Sequence, residues 1–83
     1  MGNTLAVKLP VGDVSAKACV IIKKMTGLSL ADIKTRAAKD EYIFICDYVD
    51  DAGLKLINKM KREMEKLGVV VRQFEDGVEK PSE

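Results

Sequence analysis

The sequence predicts an α+β domain built as a two-layer sandwich, β-α-α-β-α-β, with three helices on one face of a three-stranded antiparallel sheet. Three observations predict this fold. Short apolar segments with strand character occupy residues 5–9, 42–49 and 69–74. Amphipathic helical periods with cap residues fill the intervals between them. The chain has 83 residues, enough for one core, so we expect a single domain over residues 1–76 and a polar, disordered tail over residues 77–83.

The first half of the chain supplies one strand and two helices. Apolar side chains alternate along residues 5–9, as in a half-buried strand. Ser15 is a good N-cap for a helix that Gly27 closes. Ser29 and Asp32 have capping-box spacing, which indicates the start of a second helix.

The second half supplies the longest helix. Asp50 or Asp51 is expected to cap a helix over residues 52–67, with an apolar stripe at helical spacing and Gly68 at its end. A last strand follows at residues 69–74.

The connections predict the strand order. Two helices join strand one to strand two, so strand two returns antiparallel, whereas one helix joins strands two and three and makes those two parallel. A sheet that is antiparallel throughout therefore has strand one in its middle. Strand two, residues 42–49, is then an edge.

Strand two is apolar on both faces. Strict alternation places Tyr42, Phe44 and Tyr48, three of the four aromatic residues, on one face. One interpretation is that the strand is simply core. The other is that the aromatic face binds a partner or a second copy of the chain, because tyrosine suits half-hydrated interfaces and an edge strand is open to pairing.

Charge is unevenly distributed, although the net charge is only +1. Residues 40–54 contain no lysine or arginine and carry five acids: Asp40, Glu41, Asp47, Asp50 and Asp51. The first two helices are basic, through Lys17, Lys23, Lys24, Lys34, Arg36 and Lys39. This basic surface is either a solvated face or a docking site for an acidic partner helix. Without interleaved aromatic residues it is a weak nucleic-acid signal, so we expect no nucleic-acid partner.

Catalytic and metal-binding patterns are not found. The chain has no histidine, no glycine-rich phosphate loop and no CxxC spacing, so we expect neither an enzyme, a metal site nor a cofactor. Cys19 and Cys46 are interpreted as reduced core residues, with an intrachain disulfide as the alternative.

Targeting signals are also not found. No apolar run is long enough to span a membrane and the first ten residues do not resemble a signal peptide, so the expected location is cytoplasmic, without membrane association. The N-terminal MGN resembles a myristoylation signal, but Ala6 stands where that motif needs serine or threonine.

Two segments carry a family resemblance: TGLSL, residues 26–30, and DDAGLKLINKMKREMEKLGVVV, residues 50–71. They resemble the C-terminal domain of the bacterial ribosomal stalk protein, whose fold is shared by the ClpS protease adaptor. The resemblance implies the same β-α-α-β-α-β fold. It also implies recruitment of translational GTPases by the first two helices, where Lys23 and Lys34 match basic positions and the glycine and leucine of TGL match the turn.

The first functional hypothesis is a non-enzymatic protein-interaction module of this fold that binds a protein partner and self-associates through strand two. The second is an immunity protein or antitoxin that masks the basic active site of a toxin with acidic and aromatic side chains. The candidate partner-binding residues are Tyr42, Phe44, Asp47, Tyr48, Asp50, Asp51, Lys23, Lys24 and Lys34.

Overall fold

The computed structural model describes residues 3–11 and 14–80. Within them the elements are β1 Thr4–Lys8, α1 Ala16–Thr26, α2 Leu30–Ala38, β2 Phe44–Asp47, α3 Asp51–Glu65, β3 Arg72–Glu75 and β4 Val78–Glu79. The chain is thus an α+β protein with three helices and an antiparallel sheet, as the sequence predicts.

The sheet has the strand order β2-β1-β3-β4, and each neighbouring pair is antiparallel. The prediction that strand one lies between strands two and three is confirmed, and β2 is an edge. The predicted number of three strands is wrong, because β4 adds a fourth at the opposite edge.

The fourth strand follows from a tight turn at Asp76 and Gly77. Both residues have positive φ, 52° and 80°, which is the backbone of the two-residue hairpin turn that Asp-Gly favours. The turn is tied to β1, since Thr4 N–H donates to the Asp76 carboxylate at 2.8 Å and Asp76 N–H donates to Thr4 O at 3.0 Å. Val78–Glu79 therefore pair with β3 within the expected tail, and residues 81–83 lie outside the described residues.

The predicted N-caps of all three helices and the C-cap Gly27 are confirmed, whereas α3 ends at Glu65 with Lys66 as its C-cap, before the predicted Gly68. Each N-cap side chain accepts the backbone N–H three residues later: Ser15 from Ala18 at 3.2 Å, Ser29 from Asp32 at 3.1 Å and Asp50 from Gly53 at 3.0 Å. Gly27 ends α1 with a φ of 78°, the left-handed conformation that glycine adopts without strain. These caps set where each helix starts relative to the sheet.

One apolar core joins all three helices to the sheet. Its members come from β1, from the three helices and from residues directly next to the strands: Leu5, Val7, Leu9, Ala18, Cys19, Ile22, Ile33, Ala37, Ile43, Ile57, Met60, Met64 and Val71. Burying a side chain such as Ile57 contributes roughly 1.5–3 kcal/mol. Ala6 and Phe74 are also buried but lie outside this core, on the other side of the sheet.

Candidate interaction surface

A β-bulge interrupts β2 at its first residue. Val7 of β1 pairs with Phe44, but the carbonyl oxygen of Val7 also accepts the N–H of Ile43 at 2.8 Å. Two residues of one strand therefore oppose one residue of the other, which is the definition of a bulge. As a result, Ile43 and Phe44 both pack against the core instead of pointing to opposite faces.

The bulge separates the aromatic side chains of this segment. Phe44 packs against the core, whereas the ring of Tyr42 lies on the other side of the sheet, 5.5 Å from the ring of Phe74 in an edge-to-face arrangement. Tyr48 follows the strand in a turn and is 51% exposed. The prediction that Tyr42, Phe44 and Tyr48 share one face is therefore wrong, because strict alternation does not hold across a bulge or beyond the end of the strand.

Two cations cover the aromatic pair on this side of the sheet. The ammonium of Lys8 lies 5.2 Å from the ring centroid of Tyr42 and 4.7 Å from that of Phe74. The guanidinium of Arg72 lies 5.4 Å from the Phe74 ring. These are cation–π distances. The cover keeps Phe74 only 6% exposed although it lies outside the main core.

Arg72 also links two carboxylates. It makes two hydrogen bonds to Glu79, at 2.7 and 3.1 Å, and one to Asp40 at 2.7 Å, and Lys8 lies 3.4 Å from Asp40. Hydrogen bonds from Arg72 lower the pKa of Glu79, and Glu79 in turn raises the pKa of Arg72. Lost hydration raises the pKa of Asp40, but Arg72 and Lys8 together outweigh it and leave the pKa below its ordinary value. Asp40 is thus engaged within the chain.

The other predicted acids have separate roles. Asp50 is the N-cap of α3, where its carboxylate accepts the N–H of Gly53. Glu41, Asp47 and Asp51 are exposed and take part in no ion pair among the described residues. The acidic surface that faces solvent is therefore smaller than the sequence suggested, and it lies next to β2 and the start of α3.

The free edge of β2 presents unpaired backbone. Tyr48 N–H donates to Asn3 O at 2.8 Å, so the alternate residues 44, 46 and 48 face β1, and Ile45 and Asp47 face outward. The carbonyl of Asp47 accepts the N–H of Asp50, but within residues 3–11 and 14–80 no backbone or side-chain group bonds the N–H or the C=O of Ile45. The side chain of Ile45 is 53% exposed.

A cleft of about 200 Å³ lies beside this edge. Its walls are Thr26 at the end of α1, Leu28 from the α1–α2 turn, Arg36 from α2, and residues 42–45. Arg36 donates a hydrogen bond from Nη1 to the carbonyl of Tyr42 at 3.1 Å, which holds α2 against the entry of β2. Sequence reasoning did not identify Leu28, Arg36 and Ile45 as one surface, because only the tertiary fold brings the turn next to the edge.

Cys46 lies between this edge and α3. It packs against the core and is not in a disulfide, and neither is the buried Cys19. Burial raises the pKa of the Cys46 thiol, and the nearby charges of Asp50 and Asp47 raise it further. The thiol therefore stays protonated near neutral pH and behaves as a packing group.

The predicted basic residues lie on the two helices. Lys23, Lys24 and Lys34 are exposed and form no ion pair with any described residue. One helical turn before them lie two partly exposed apolar side chains, Val20 on α1 and Leu30 on α2. The structure thus offers a basic surface with small apolar patches, separate from the acidic residues next to β2.

Within the described part of the chain, no three His, Cys, Asp or Glu side chains lie close enough together to hold a metal ion. Among the same residues, each helix is too short or too polar to cross a bilayer.

No family model matches this chain, and no curated protein or solved structure is similar to it at a significant level. The likeness of residues 26–30 and 50–71 to the ribosomal stalk domain therefore stays a prediction.

Proposed function

We propose that this chain is a non-enzymatic protein-interaction module that binds a protein partner at the free edge of β2. The observation that carries the proposal is the outward-facing, unbonded backbone of Ile45 next to exposed apolar side chains. Val49 is 84% exposed and Tyr48 is half exposed, so the patch extends beyond the strand. An edge of this kind is a template for pairing with another chain.

The charge beside the edge favours a basic partner. Glu41, Asp47 and Asp51 face solvent near β2 without an intrachain cation among the described residues. Complementary charge speeds association and selects partners more than it adds affinity. An immunity protein or antitoxin that masks a basic toxin active site is the specific form of this proposal. Its anchor would be Tyr48, since Phe44 packs inward.

A homodimer through the same edge is a competing arrangement. Two-fold pairing of β2 with its copy would bring together two acidic segments, each with five acids and no base over residues 40–54. Like charges across a strand pair are destabilising. Charge thus supports a different, basic partner over a second copy.

The stalk-like function is supported by a different surface. Lys23 and Lys34 are exposed and unpaired among the described residues, and exposed Val20 and Leu30 lie one helical turn before them. The stalk-domain resemblance also implies a two-layer sandwich with all helices on one face. The single core that all three helices share with β1 supports this architecture. The proposal includes a cytoplasmic location, because that compartment keeps cysteines such as Cys19 and Cys46 reduced.

Cross-linking capture from a lysate of the source cell tests these surfaces. The wild type, an Ile45→Asp/Asp47→Lys variant and a Lys23→Glu/Lys34→Glu variant serve as bait, each first shown by circular dichroism to be folded. We expect the first variant to lose the captured partner and the second to retain it. Loss only in the lysine variant would move the site to the basic helices, and equal capture by all three baits would refute both assignments.

The control bait is Lys59→Glu/Arg62→Glu on α3, which makes the same charge change as the lysine variant on exposed residues two or more helical turns from Asp51. Asp50 is left unchanged throughout, because its carboxylate caps α3 and its loss would disturb the fold.

A further inference from the structure

Building on the proposed function, we propose that the partner contributes an extended segment that joins the sheet beside β2. In this segment a basic residue precedes an apolar one, and the apolar side chain fills the cleft between β2 and the α1–α2 turn. The basic residue meets the acids that follow the cleft along the chain.

Backbone groups define where the segment binds. Ile45 offers one donor and one acceptor outward, and Asp47 offers its N–H, while its carbonyl is already bonded to Asp50 N–H. Strand addition uses such outward groups for affinity and adjacent pockets for selectivity. The open hydrogen-bonding positions therefore centre on Ile45, directly beside the cleft.

The cleft selects a single apolar side chain. Its volume of about 200 Å³ is below the range of pockets that hold drug-sized ligands. Leu28, Phe44 and Ile45 supply apolar walls, and Arg36 closes one side while it is bonded to Tyr42 O. A leucine, isoleucine or methionine on the added strand matches this lining.

Charge sets the direction of the segment. Along β2 the chain runs from the cleft at residues 42–45 to Asp47 and then to Asp51. A segment antiparallel to β2 runs the opposite way, so it passes the acids first and reaches the cleft afterwards. Asp47 lies on the face of β2 opposite the helices, whereas the cleft lies on the helix side, so the basic side chain belongs about three positions before the apolar one on the added strand.

The partner is thus another protein rather than a second copy of this chain. The segment around β2 has no lysine or arginine over residues 40–54, so its copy cannot supply the basic residue from the same strand. A basic, extended segment supplies complementary charge in addition to the backbone bonds.

The test uses a short fluorescent peptide with two lysines followed by β-branched residues and one leucine, titrated into the full chain by anisotropy. Two matched peptides serve as controls, one with the order of residues reversed and one N-methylated at the residue that faces Ile45. We expect the forward peptide to bind with salt-sensitive affinity and each control to bind about tenfold more weakly, the change that corresponds to one lost charge-assisted or backbone contact. N-methylation leaves the protein untouched, so misfolding cannot explain its effect.

Two protein variants complete the test. Ile45→Pro removes the outward N–H at a position where an edge strand tolerates proline, and Ile45→Thr keeps that N–H and the β-branched shape. We expect the proline variant to weaken binding about tenfold, and the threonine variant to retain most of the affinity.

Undiminished binding of the methylated peptide, or no binding of the forward peptide up to about 1 mM, would overturn strand addition. A dimer seen by light scattering and abolished by Ile45→Pro, without peptide binding, would assign the edge to a second copy. If the peptides fail but partner cross-links still map to β2, strand addition is wrong while the proposed function stands.

Discussion

Replacement of Gly53 by alanine is expected to destabilise this protein, although glycine-to-alanine changes in helices usually stabilise. Gly53 lies in the first turn of α3 and is buried against β2. A Cβ atom at this position would lie 2.6 Å from the Sγ and 2.7 Å from the Cβ of Cys46. It would also come within 3.2 Å of Asp50 Cγ, the carboxylate that caps the same helix.

The magnitude follows from opposing effects. Alanine gains up to about 1 kcal/mol in helix propensity over glycine. Forcing an extra carbon into a close-packed contact costs about 1–3 kcal/mol, and a weakened N-cap adds up to about 1 kcal/mol. We therefore expect a net loss of about 1–2 kcal/mol in the free energy of unfolding. For a domain of this size that loss lowers Tm by roughly 5–15 °C.

Urea and thermal unfolding followed by circular dichroism measure the change. Asn58→Ala, at an exposed position of the same helix, is the matched control and should gain about 0.5 kcal/mol. Adding Cys46→Ala to Gly53→Ala removes the Sγ contact but not the Cβ contact, so the double variant should be more stable than the sum of the single changes by at least about 0.5 kcal/mol. A Gly53→Ala protein as stable as the wild type would refute the close approach of α3 to β2.

Three further changes test other parts of the fold. Asp50→Ala should cost about 1 kcal/mol of stability through the lost N-cap, and Asp51→Ala less than half of that, as judged by urea midpoints. Removal of residues 78–83 should cost about 1–2 kcal/mol more than removal of residues 81–83, because only the longer truncation removes the β3–β4 hydrogen bonds. Arg72→Gln should make Tm fall less steeply as the pH is lowered into the acidic range. The two carboxylates that Arg72 binds have pKa values lowered by folding, so their stabilisation is complete above the ordinary values of 3.8 and 4.5 and is lost as pH falls below them. The same fall of Tm with pH in the variant and the wild type would contradict this role.

Local chemistry explains what the sequence predicted correctly. The caps at Ser15, Ser29 and Asp50 depend on a side chain and a backbone N–H three residues away, so the sequence contains the whole interaction. The central position of β1 follows from the number of helices between strands, which is also a property of chain order. Both conclusions need no knowledge of the tertiary fold.

The sequence also contains a local signal for the fourth strand. Asp76-Gly77 is a strong hairpin turn, but the surrounding residues are polar and were interpreted by composition as a tail. What makes the hairpin stable is not local. Arg72 binds Glu79 on the new strand and Asp40 at the entry to β2, and Thr4 binds the turn itself. These contacts join residues far apart in sequence, so no pattern in the sequence could reveal them.

The bulge at Ile43 and Phe44 had the largest effect on the functional interpretation. Alternation assumes one residue opposite one residue, and the sequence alone does not show that Val7 bonds two residues of β2. Because of this extra residue, the side chain of Phe44 packs against the core while that of Tyr42 packs against Phe74 on the other side of the sheet. The side chain of Ile45 is the one that stays exposed. The same shift brings the unbonded backbone of Ile45 next to the cleft. Deletion of Ile43 would make Tyr42 the direct neighbour of Phe44, and alternation would then keep Phe44 towards the core and Tyr42 towards Phe74. The variant should therefore lose the roughly 1.5–3 kcal/mol that the buried Ile43 side chain contributes but retain binding at β2, as urea unfolding and peptide anisotropy would show.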